Sequence, residues 1–212
     1  MRLKLFLAAL LVSGLTAAAP PIDGLYGEVF GGYAYVPGHV DSTINGLLRN
    51  DSSYRDGYNA GGRFGFKSSP LRYEGELSYI HADLKRFNIN NVPQLGVDGE
   101  TAAWFALANI YYDFPDMVPC VAPFIGVGIG YSHVQSSLYS EGPFGVTAFK
   151  KSDDGFAYQG TFGFTYNFRE NWSANLAYRY MATERLDLIG KIFQAHVASV
   201  GVTYRFNAFV YQ

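Results

Sequence analysis

Gly126, Gly128 and Gly130 crowd into the stretch PFIGVGIGYS, residues 123–132, and a glycine-rich run is one of the few local patterns that can cradle a phosphate. A dinucleotide-binding loop spaces its glycines as G-x-G-x-x-G because the chain must turn from a strand into a helix whose N-terminus meets the pyrophosphate. Here the period is two and no amphipathic helix follows. In a strand, period two puts the three glycines on one face and Ile125, Val127, Ile129 and Tyr131 on the other. The run therefore marks a strand with one bare face and one greasy face.

Histidine is the second place to look for chemistry. His81, His133 and His196 each end a strand-like segment on its apolar face, and His39 falls in a polar connection. The segments that carry the three are not neighbours in an up-and-down arrangement, so a shared metal site is not expected. A hydrolase needs a nucleophile bonded to its base on one face. His196 and Ser199 have opposite parity, and Ser136 and Ser137 follow His133 only in a connection, so catalysis is not expected either. Lys150 and Lys151, beside Asp153 and Asp154, read as a solvated patch.

The charges inside the strand-like segments form the third set. Eight segments follow one rule of alternation, each bounded by turn residues. In the first, Leu25, Val29, Tyr33 and Tyr35 oppose Glu28, Phe30 and Ala34; in the second, Tyr58, Ala60, Phe64 and Phe66 oppose Asn59, Arg63 and Lys67. In the third, Tyr73, Leu77 and Tyr79 oppose Arg72, Glu74, Glu76 and Ser78; in the fourth, Trp104, Ala106, Ile110 and Tyr112 oppose Asn109 and Asp113. The glycine stretch is the fifth. Phe162, Phe164 and Tyr166 oppose Gln159, Thr161 and Thr165 in the sixth. Leu176, Tyr178 and Tyr180 oppose Asn175 and Arg179 in the seventh, and Val200, Val202, Tyr204 and Phe206 oppose Ser199, Gly201, Thr203 and Arg205 in the eighth.

Charge thus sits on one face only. With the aromatic face toward lipid and the other toward an enclosed lumen, every segment reads as a strand of an all-β, eight-stranded antiparallel up-and-down transmembrane barrel. A soluble barrel would have to enclose nearly all of these rings, more volume than eight strands can hold. Glu28, Glu74, Glu76 and Asp113 then meet Arg63, Lys67, Arg72, Arg179 and Arg205 as a lumen charge network. Buried charges require partners, so the expectation is a salt-bridged plug, with a gated conduit as the alternative.

Composition agrees. Of 212 residues, 17% are aromatic and only 16% charged, low for a water-facing surface. Sixteen basic against 18 acidic residues leave no footprint for nucleic acid. Arg2 and Lys4, then LFLAALLV and SGLTAAAP, have the three regions of a secretory signal peptide, expected to span residues 1–18. The barrel is expected over 24–206 and a short tail over 207–212. Cys120 is alone, so no disulfide is expected; it reads as an inert thiol in a turn. Long polar connections follow the first, third and fifth segments and short ones the second, fourth and sixth. That alternation predicts mobile outer loops, short periplasmic turns and both termini in the periplasm.

These stretches, above all LANIYYDFP, PFIGVGIGYS, FAYQGTFGFTYNF, AYRY and the closing SVGVTYRF, resemble the small eight-stranded outer-membrane barrels of Gram-negative bacteria, of the OmpA-type and opacity-protein-like surface-antigen class. The resemblance implies a barrel set among outer-membrane lipids and lipopolysaccharide; the residues themselves suggest no cofactor and no catalysis, and the length and variety of the three long connections suggest loops that contact a host or surface ligand. The resemblance also implies a terminal signal for the outer-membrane assembly machinery, with Ser199, Gly201, Tyr204 and Phe206 in its four roles. Members of the class usually stop at the final aromatic, whereas six residues follow Phe206 here. A porin-like channel and a lipid A-modifying enzyme are the two other functions that the class contains.

Overall fold

A computed structural model describes residues 23–37, 39–44, 48–89, 92–93, 95–115, 120–142, 145–186 and 191–206. The expected signal segment and the tail after Phe206 lie outside the described residues. Ten strands run in chain order: β1 (Gly24–Tyr35), β2 (His39–Ile44), β3 (Leu48–Ser68), β4 (Leu71–Ile89), β5 (Val92–Pro93), β6 (Leu95–Asp113), β7 (Val121–Gly142), β8 (Gly145–Asn167), β9 (Trp172–Leu186) and β10 (Lys191–Arg205). Eight of them, all but β2 and β5, pair antiparallel with their neighbours, and β1 pairs with both β3 and β10. With β3 also paired to β4, the sheet closes into an up-and-down barrel. Arg205 lies opposite Tyr26 at the seam, and beyond it the Phe206 amide donates to the Leu25 carbonyl at 2.9 Å.

Side chains alternate across the wall as the sequence pattern requires. Val29, Val127, Ile129, Leu176 and Val200 stand exposed on the outer surface, Val29 at 69%. Glu28, Arg63, Glu76, Asn109, Gln159 and Arg179 are buried within. A continuous outer belt of large apolar side chains would be insupportable in water and is what a bilayer solvates. Aromatic clusters bound the belt at both ends. At the end where β1 begins and β10 finishes, Trp172 and Tyr204 approach to 4.8 Å, with Phe206 beside them. At the other end Tyr79 meets Trp104 at 4.8 Å, and His196 lies among Tyr35, Tyr178 and Tyr180. Ten residues separate His196 from Phe206, roughly 33 Å of strand and roughly 25 Å of height at a tilt of about 40°. That is the thickness of an outer-membrane apolar band.

The long connections differ from expectation. They were expected as mobile loops, yet the ladders continue through much of them. β7 and β8 stay paired from Val121 and Tyr166 out to Gly142 and Gly145, and β3 and β4 out to Asn50 and Ile89. β8 alone has 23 residues, where about ten suffice to cross. The reason is that polarity bars a segment from lipid but not from a sheet. Once the barrel fixes the antiparallel register, the cheapest partners for the next backbone amides and carbonyls are those already opposite. Register irregularities near Tyr54 and between Leu95 and Asp98 show where the ribbons deviate.

The glycine face also gains its explanation. A β-carbon on Gly126 would collide with the Tyr111 ring and one on Gly128 with the Asn109 amide oxygen. On Gly130 it would strike the Ala106 carbonyl. The bare strand β7 leaves room for the large inward residues of β6. At the opposite seam Gly201 does the same for Glu28 and Phe30.

Two adjacent substitutions therefore fail for different reasons. Val127→Arg places a charge in the middle of the lipid belt and is expected to cost about 2–4 kcal/mol. Gly128→Leu overpacks the lumen and is expected to cost about 1–3 kcal/mol. Urea unfolding from lipid vesicles measures both, and only the first penalty should shrink when the same residue is moved to the edge of the belt, as in Tyr131→Arg.

Candidate functional site in the barrel lumen

Strand direction and parity bring the inward charges of β1, β3, β4, β6, β9 and β10 toward the end of the lumen where β1 begins and β10 finishes. Arg63 and Glu76 are directly opposite across β3 and β4, and Glu28 and Arg63 across β1 and β3. Arg63 bonds Glu28 at 2.9 Å and Glu76 at 2.9 Å, with Glu74 at 3.5 Å. Glu76 reaches across the lumen to Arg179, 2.6 Å away and wholly buried. Arg179 also donates to Asn59. A second cluster lies closer to the mouth: Asp113 accepts from Lys67 and from Arg72, each at 2.8 Å, and Arg72 also meets Glu74 at 3.2 Å. Tyr26 donates to Glu74.

Neutral side chains complete the shell. Asn109 and Gln159 each donate to Glu76 at 3.0 Å. Asn175 and Thr203 donate to Glu28 at 2.9 and 3.1 Å. Phe30 lies between two guanidiniums, with Arg63 4.3 Å and Arg179 4.5 Å from its ring centre. Arg72 lies 4.9 Å from the Tyr111 ring and 4.8 Å from that of Phe124. These ring faces take guanidinium surface that carboxylates leave uncovered, since among the described residues Arg63 Nη2, Arg72 Nη2 and Arg179 Nε have no hydrogen-bond partner.

All nine charges singled out from the sequence thus line one half of the lumen. Arg205 differs from the rest: among the described residues it forms no ion pair, and Asn167 and Ser173 hold its guanidinium at 2.7 and 3.2 Å. Asn109, Gln159 and Asn175 share the inward parity of the charges, but that parity alone does not mark them as partners of Glu76 and Glu28. The sequence reading passed over the change of character along the lumen. On β4 the inner face runs Arg72, Glu74, Glu76, Ser78 and then Ile80 and Ala82. The half where β1 ends and β10 begins is an apolar core, with Phe105, Leu107, Val134, Met181, Phe193 and Val197 packed together.

The histidines stay apart, on β4, β7 and β10. His133 is held by Asp154 at 2.5 Å and Gln135 at 2.9 Å, His81 by Asp83 at 3.2 Å, and His196 by Tyr178 at 2.6 Å. Ser199 is buried on the lumen side, away from His196. Among the described residues no serine hydroxyl bonds a histidine nitrogen. His39 lies in β2, and its side chain and that of Lys150 are outside what the structure describes. Of the terminal motif, Ser199 and Gly201 face the lumen and Tyr204 and Phe206 the lipid side. Cys120 is buried in the turn before β7 with a φ of 71°, and its carbonyl accepts from the Asn167 amide at 2.8 Å.

Glu76 is the most connected member, so its loss strands the most charge. Glu76→Ala leaves Arg179 without a carboxylate and is expected to destabilise the barrel by about 3–5 kcal/mol. Lys67→Met leaves Asp113 its Arg72 partner and is expected to cost less than half as much. Urea unfolding midpoints of the two refolded variants test the order.

Comparison with known proteins agrees with the geometry. The family model described as "Outer membrane protein beta-barrel domain" matches residues 5–206. A curated relative from Gluconacetobacter diazotrophicus, named "Outer membrane protein", is 32% identical; the match takes in 79% of this chain and 49% of the relative, so the chain spans about half the length of the relative it matches. Among solved structures, Neisserial surface protein A is similar with a TM-score of 0.53 and 17% identity, over 86% of this chain and 97% of that one. OprG from Pseudomonas aeruginosa is similar with a TM-score of 0.54 and 14% identity, over 89% and 99%. At such identities the likeness is one of fold. Lipid-facing belt, enclosed charges and family match agree, and the chain belongs to the outer-membrane protein β-barrel domain family of Gram-negative bacteria.

Proposed function

We propose that this outer-membrane barrel is a sealed, non-catalytic anchor whose long hairpins present a binding surface outside the cell. In this reading the termini lie in the periplasm. The observation that carries it is the filling of the lumen in two unlike layers, ion pairs about Glu76 and Arg179 below and the apolar core about Phe105 and Met181 above. An ion crossing the barrel would have to displace the first and then enter the second unsolvated. Large solutes are excluded by the diameter of eight strands alone. Among the described residues none in the lumen brings a nucleophile to a base, which favours a structural role over lipid chemistry.

The paired ribbons carry the second half of the reading. β7 and β8 raise a two-stranded arm well past the aromatic belt, and such an arm displays its residues at a defined spacing. Its partner is a host or surface ligand.

Planar-bilayer recordings of refolded protein are expected to show no discrete conductance steps; steady unitary openings would instead identify a pore. Replacing residues 138–149 by a short turn is expected to leave refolding intact and to abolish adhesion of expressing cells. Unchanged adhesion after all three long hairpins are shortened would refute the binding role, and a lipid A mass spectrum altered by the protein would refute the absence of catalysis.

A further inference from the structure

The lumen charges do not cancel. Among the described residues Arg63, Lys67, Arg72, Arg179 and Arg205 face Glu28, Glu74, Glu76 and Asp113, which leaves one positive charge enclosed by the wall. An uncompensated charge away from water is costly, and uptake of a counter-ion relieves that cost.

The surplus is local. Lys67 and Arg72 are directly opposite one another on β3 and β4, an arrangement that repels unless an anion lies between them. Asp113 serves both, Glu74 meets Arg72 from the other side at 3.2 Å, and among the described residues Arg205 forms no ion pair. Lys67, Arg72, Asp113 and Arg205 share the wall of one cavity of about 20 Å³ at the end of the lumen where β1 begins and β10 finishes. Three cations and one carboxylate therefore surround it. Arg72, 7% exposed, lines this wall, and Asn175 and Thr203 add neutral polar groups to it. A void of this size has room for one water-sized or halide-sized particle.

We propose that this cavity binds one small monovalent anion, of chloride size, which neutralises the lumen and is held by Lys67, Arg72 and Arg205. The bound ion belongs to the folded state only, so it stabilises the barrel by mass action. Its affinity follows the local charge: removing a cation loosens it, and removing Asp113 tightens it.

The test is urea unfolding of the refolded full chain in vesicles at constant ionic strength, with potassium chloride exchanged for potassium gluconate. The unfolding midpoint is expected to rise with the logarithm of chloride concentration. That dependence should be lost in Arg205→Gln and should set in at lower chloride in Asp113→Asn. Bromide-soaked crystals of the unaltered protein should show an anomalous peak in the cavity, a readout that stands even if a variant does not fold. Equal midpoints in chloride and gluconate, an unchanged dependence in Arg205→Gln, or a cavity holding only water would each overturn the proposal.

Discussion

Closure is the constraint from which the rest of the molecule follows. Within a bilayer no water meets a free amide or carbonyl, so a sheet that crosses must leave no edge. The pairing of β1 with β10, from Tyr35 and His196 to Tyr26 and Arg205, removes the last one. Once the ring is shut, every side chain points either to lipid or into a space only about as wide as its own contents. The outer belt of Val29, Val127, Leu176 and Val200 and the inner network are two results of one act.

Enclosure turns modest charges into determinants of register. Because side chains alternate with period two, a slip of one residue would send Arg63 to lipid and Phe64 to the lumen. The ion pairs tie strands far apart around the ring: Glu76 on β4 holds Arg63 on β3 and Arg179 on β9, and Glu28 on β1 receives Asn175 from β9. Whether such pairs add net stability over an apolar filling is a separate matter, since desolvation offsets much of their attraction. Their cross-barrel connections argue for a role in selecting one pairing. The apolar half shows the contrast: Phe105, Met181 and Phe193 fill their part of the lumen by shape alone.

Much of this architecture was legible in the sequence because lipid and lumen demand opposite chemistry at alternate residues. Eight segments declared their parity, and Gly126, Gly128 and Gly130 declared a packed inner face rather than a phosphate loop. The long connections were misread since polar composition was taken for looseness, while hydrogen bonding carries β3, β4, β7 and β8 onward regardless of composition. Partners across the barrel were not legible: that Glu76 meets Arg179 depends on strand tilt and stagger, which no local pattern encodes. The apolar layer escaped notice because inward Ile80, Phe105 and Val197 look, in sequence, like interruptions of the alternation rather than members of one core.

The central claim is that the aromatic face meets lipid and the charged face is enclosed by a closed wall. Gel mobility of the refolded protein before and after boiling, paired with far-ultraviolet circular dichroism in lipid, tests it most directly. The account predicts a faster-migrating unboiled band and a strand-rich spectrum that persists until boiling. Protein that stays in solution without detergent or lipid and migrates identically before and after boiling would contradict it.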